Sequence, residues 1–130
     1  MNRERAGAQI RGEQGIRGTV RFRQCQMGTI VTADISGLPE SEKGFFAFHI
    51  HEDGHYNPDG NPHPRHAGDL PPLLYCDGKA WMSVLTDRFS VEEVIGKEVV
   101  IHEGSDDFFS QPAGNPGNPI ASGVICNFYG

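Results

Sequence analysis

The sequence predicts an all-β protein, and three observations carry that reading. Short runs alternating apolar and polar residues recur along the chain. Turn formers separate them, with 17 Gly and 9 Pro among 130 residues. Helical periodicity is nearly absent: the one weak candidate, SVEEVIG, spans barely two turns and closes at Gly96.

The elements follow in chain order. The opening GAQIRGEQGIRG supplies one strand candidate, and residues 1–7 are expected to be a flexible N-terminus. TVRFRQ places Val20 and Phe22 on one face and Thr19, Arg21 and Arg23 on the other. GTIVTADIS sets Val31, Ala33 and Ile35 against Ile30, Thr32 and Asp34. FFAFHIH, KAWMSVLT, KEVVIHE and IASGVICNFY are rich in β-branched and aromatic residues and read as further strands. LPPLLYC completes about eight, with its prolines confining it to an edge. Long irregular loops are expected at 52–69 and 103–119, and loops of that length in a small domain usually carry function. Residues 1–130 read as one domain, without repeat or linker.

The formal net charge of −6 argues against a nucleic-acid or anionic-membrane partner. Positive charge is uneven: six of the eight Arg lie in the first 23 residues, and no Lys or Arg follows Lys97. The N-terminus lacks the apolar core of a signal peptide, and no run reaches the length of a membrane span. Cys25, Cys76 and Cys126 fall in no metal-ligand spacing and read as reduced thiols of a cytoplasmic protein.

Chemistry concentrates in HIHEDGHYNPDGNPHPRHAGD, residues 49–69, which hold five of the six histidines and four carboxylates. His49 and His51 alternate on a strand, so both imidazoles leave the same face. An isolated His-x-His is often only a pair of solvated side chains. Here His55 follows across a Glu52-Asp53-Gly54 turn, and His63, His66 and Asp69 recur at three-residue intervals in a proline-stiffened loop. Three nitrogens and a carboxylate make a closed zinc set, whereas imidazole-only surroundings suit copper. HIHEDGH also has some likeness to the metallo-β-lactamase signature. Gly54 breaks that register, and the chain is too short and too poor in helix for that fold.

Several separated segments, in order, resemble the copper–zinc superoxide dismutases. AFHIHEDG is similar to the family's strand-borne His-x-His segment, and HYNP to its bridging-histidine segment. RHAGDL is similar to the zinc loop, VVIHEGSDD to the last copper-ligand strand, and GNPGNPIASGVI to the C-terminal pattern. The resemblance runs from about residue 8 to the end. It implies an eight-stranded Greek-key β-barrel, an immunoglobulin-like sandwich carrying two long functional loops. It implies copper on His49, His51, His55 and His102, and zinc on His55, His63, His66 and Asp69. His55 would bridge the two as an imidazolate. Asp106 would orient the ligand histidines from behind. The implied substrate is superoxide, converted to dioxygen and hydrogen peroxide at His49, His51, His55 and His102. The alternative is a metal-storing, buffering or delivering relative with little activity.

The sequence departs from the family pattern at informative places. Alignment through Gly114, Asn115, Gly117, Ala121 and Gly123 puts Pro119 where the family carries its substrate-guiding arginine. Substrate steering is therefore expected to be weak, with Arg65 the nearest substitute. Ser122 stands at the usual C-terminal cysteine, and the loop bearing its disulfide partner is missing between Gly54 and His55. That loop also helps build the eukaryotic dimer, so the expectation is a monomer or a different dimer.

Overall fold

A computed structural model of the chain describes residues 4–51, 68, 70–103 and 119–127. Eight strands are present there: β1 (Arg5–Gly12), β2 (Arg17–Cys25), β3 (Gly28–Ser36), β4 (Phe45–His51), β5 (Leu73–Leu74), β6 (Ala80–Thr86), β7 (Glu98–His102) and β8 (Pro119–Asn127). They pair antiparallel in the order β5-β4-β7-β8-β1-β2-β3-β6. The sheet curls until its ends, β5 and β6, meet in a nearly closed barrel. The all-β expectation holds.

Alternation decides what fills the barrel. Val20, Phe22, Val31, Ala33, Ile35, Val99, Ile101 and Ile125 are all essentially buried, while the residues between them face outward. Phe46, Phe48 and Ile50 drive β4 into the same core. Burying one such side chain contributes about 1.5–3 kcal/mol, so the alternation of each strand determines its facing. The predicted faces of β2 and β3 are those observed.

Some elements differ in extent. GAQIRGEQGIRG divides: the strand ends at Gly12, a 3-10 turn spans Glu13–Gly15, and β2 already begins at Arg17. β1 starts at Arg5, within the stretch expected to be a loose terminus. LPPLLYC contributes only Leu73–Leu74, because Pro71 and Pro72 have no N–H for a ladder. SVEEVIG forms a single turn, α1 (Val91–Val94). Ser90 Oγ accepts from the Glu93 N–H at 3.2 Å, and the Ser90 N–H donates to Glu93 Oε1 at 2.8 Å. The Ser90 backbone N–H first, and the Ser90 hydroxyl second, hold the Glu93 carboxyl below its usual range. Gly96, at φ +92, ends the turn as expected.

The long loops at 52–69 and 103–119 lie almost wholly outside the described residues. His55, His63, Arg65, His66, Asp69 and Asp106 lie outside them too. All three cysteines are free thiols, and among the described residues no helix is long and apolar enough to cross a membrane.

β8 seals the barrel against β1 through a close approach at Gly123. A Cβ there would lie 2.2 Å from the Gln9 carbonyl oxygen and 2.9 Å from its carbon. Both are backbone atoms and cannot rotate away. Gly123→Ala is expected to destabilise the fold by about 1–3 kcal/mol. Chemical denaturation compared with the exposed control Val124→Ala checks this, and an equal midpoint for the two variants contradicts it.

Candidate metal centre

The site is built on the outer face of β4 and β7. With Phe46, Phe48 and Ile50 committed to the core, the intervening His49 and His51 must face outward, where both are half-buried. β7 obeys the same rule: Val99 and Ile101 fill the barrel, so Val100 and His102 face out. Antiparallel register places Ala47 opposite His102 and His49 opposite Val100. The small Ala47 leaves room for the His102 ring beside that of His49.

The three imidazoles converge. The His49 and His102 rings stack with centroids 4.5 Å apart and planes 7° from parallel. His49 and His51 stack at 4.3 Å, and their Nε2 atoms lie 3.3 Å apart. One ligand nitrogen from each residue lies within 4.8 Å of the others. Metal–imidazole bonds of about 2.0–2.1 Å place two such nitrogens about 3.3 Å apart at a tetrahedral angle, so one ion fits with little adjustment. Among the described residues this is the only cluster of three such groups close enough to share an ion.

Burial sharpens the case. His102 is 1% exposed, and its Nε2 is enclosed without a hydrogen bond, although the residue makes other contacts. A polar nitrogen buried that way costs free energy unless something coordinates it, which suits a metal ligand. The residues present therefore fit a metal.

Two neighbouring features tie the surrounding chain to this face. The Ile50 N–H donates to the Gly68 carbonyl at 2.8 Å, and the Leu70 N–H donates to that of Phe48 at 3.3 Å. A Cβ on Gly68 would lie 2.3 Å from the Ile50 carbonyl oxygen, so only glycine permits this clasp. Pro119, exposed at the start of β8, pairs with His102 where the β7–β8 register shifts. The sequence placed the strand start one residue later; proline is tolerated as a first strand residue.

Fold and site define an antiparallel β-barrel metalloprotein with an imidazole cluster on the outside of its sheet. The profile of the family described as copper/zinc superoxide dismutase matches residues 16–125. "Superoxide dismutase [Cu-Zn] 2" of Aquifex aeolicus is 34% identical, over 89% of this chain and 82% of that protein. "Superoxide dismutase [Cu-Zn]" of Legionella pneumophila is also 34% identical, over 83% of this chain and 76% of its own. The "Copper chaperone for superoxide dismutase" of Sus scrofa is 32% identical across the whole chain, which spans 56% of that protein. The chain belongs to the copper/zinc superoxide dismutase family, and copper and zinc are the cofactors this membership implies.

His102→Ala should weaken copper(II) binding on the order of a hundredfold or more, since it removes an imidazole directly. Competition with a chelator of known affinity measures this, with circular dichroism confirming the fold. Unchanged affinity would show that His102 is no ligand.

Proposed function

We propose that the chain dismutates superoxide, taking two superoxide anions and two protons to dioxygen and hydrogen peroxide. The observation that carries the reading is the convergence of His49, His51 and His102 on one sheet face of a chain in this family. Bound copper supplies one-electron redox chemistry, and zinc supplies fixed positive charge without redox.

The chain's residues take these roles. His49, His51, His55 and His102 hold copper; His55, His63, His66 and Asp69 hold zinc. His55 is shared, and its ring exchanges the proton that the product requires. Asp106 orients ligand rings by hydrogen bonding. The whole of 1–130 acts as one domain, and the free thiols favour a reducing, cytoplasmic setting. Assembly is as a monomer, or as a dimer unlike the eukaryotic one.

Pro119 limits the rate. Its pairing with His102 supports placing that position beside the site, where a cation would concentrate and orient an anion. Proline offers no charge. A second reading, metal storage or delivery with little dismutation, draws on the copper-chaperone relative.

Metal analysis followed by direct superoxide decay separates the two. The copper- and zinc-loaded protein should accelerate decay well above the metal-free protein; equal decay sinks the enzyme reading and leaves the carrier reading.

Pro119→Arg tests the steering argument. The variant should react faster than the parent, and its rate should fall more steeply with added salt, because screening acts on the new attraction. An unchanged rate with intact metal content would count against weak steering as the consequence of Pro119.

A further inference from the structure

The basic residues concentrated near the N-terminus fold into one feature. Outward positions of β1 are Arg5, Gly7, Gln9 and Arg11, and those of β2 are Arg17, Thr19, Arg21 and Arg23. Register places Arg5 directly opposite Arg23, Arg11 opposite Arg17, and Arg21 opposite Gly7. All five arginines are exposed. They make a stripe two strands wide and about 20 Å long, from six residue rises of about 3.4 Å.

Two cross-strand Arg–Arg pairs are unfavourable as structure, because like charges directly opposite each other repel. Nothing in the barrel offsets this for most of them: Arg11, Arg17, Arg21 and Arg23 form no ion pair with any described residue. Arginine is also unnecessary here as protection against strand addition, since β1 and β2 lie inside the sheet order and present no open edge. In a chain of net charge −6, such a stripe calls for an anionic partner from outside.

The shape restricts the partner. Gly7, Gln9 and Thr19 lie between guanidinium groups at both ends, and one end is a shallow depression lined by Arg11, Arg17 and Ser36 together with the carboxylate of Asp34. Carboxylates bound it: Asp34 opposite Thr19 on the flank, Glu13 beyond one end and Glu4 beyond the other. A broad anionic surface would meet all of those acids, whereas a single narrow chain would meet fewer of them. No aromatic side chain lies among the outward residues, so nothing there can stack on bases. Arginine forks bind phosphate oxygens bidentately. We propose that the β1–β2 face binds an unbranched inorganic polyphosphate chain laid along the hairpin. The stripe begins two strands round the barrel from β7, and its Arg11 end shares a depression with Pro119.

The test titrates linear polyphosphate into the full-length protein by calorimetry. Duplex DNA, heparin and phosphatidylglycerol vesicles serve as competing probes at matched charge. Polyphosphate should bind tightest, losing affinity on the order of tenfold or more between 50 and 200 mM salt. Arg11→Gln with Arg17→Gln, and Arg21→Gln with Arg23→Gln, should each cost about tenfold, and the four together should abolish binding. Thermal unfolding supplies a second readout: polyphosphate raises the midpoint of the parent and not of the quadruple variant. Without ligand, the quadruple variant should unfold no earlier than the parent, because a repulsion has been removed. Unchanged binding in the quadruple variant, tighter binding of any competing probe, or a quadruple variant that unfolds earlier would each overturn the assignment.

Discussion

The pairing of β4 with β7 is the constraint on which the site depends. It sets Ala47 against His102 and His49 against Val100, making neighbours of imidazoles that are far apart along the chain. That register is held by the core rather than by the histidines. Phe46, Phe48 and Ile50 on one strand and Val99 and Ile101 on the other must all face inward. A slip of β4 by one residue would drive His49 and His51 into the barrel and expose Phe46, Phe48 and Ile50. The hydrophobic effect thus places the three imidazoles, although none of them belongs to the core.

Holding the three rings together has a cost in the metal-free protein. His102 is enclosed, its Nε2 makes no hydrogen bond, and the His49 ring stacks against both partners. With the ligand roles proposed above, coordination would turn that cost into binding free energy and so link metal uptake to fold stability. The β1–β2 face obeys a different rule. Arg11 and Arg17 repel one another across β1 and β2, yet the interior-facing residues of those strands keep the register that juxtaposes them. In both places core packing tolerates a surface arrangement that is unfavourable alone and suited to a charged ligand.

The barrel itself is compatible with more than one role, since relatives described as dismutases and as a copper chaperone share about a third of its sequence. The proposed dismutase role depends further on the start of β8. It sets an uncharged Pro119 next to His102, at a break in register. A proline there removes both a backbone N–H and any side-chain charge. In the proposed dismutase reading, the consequence falls on how an anion reaches the site.

Strand identity and facing were legible in the sequence because they follow from covalent geometry. Successive side chains alternate, so TVRFRQ, GTIVTADIS and FFAFHIH each declare an inner and an outer face without reference to any other segment. His49 and His51 sharing a face followed from the same period, and His102 as their companion came from resemblance rather than spacing. Strand extents were less legible. The break of GAQIRGEQGIRG into a strand, a turn and a second strand depends on what β1 and β2 pair with, as does the reduction of LPPLLYC to two strand residues. Only the tertiary structure decided which outward residues meet: His102 beside His49, Pro119 beside His102, Arg5 against Arg23 and Arg11 against Arg17. Alternation is a local property of each strand, whereas register between strands is set by the packing of a shared core, which no single segment contains.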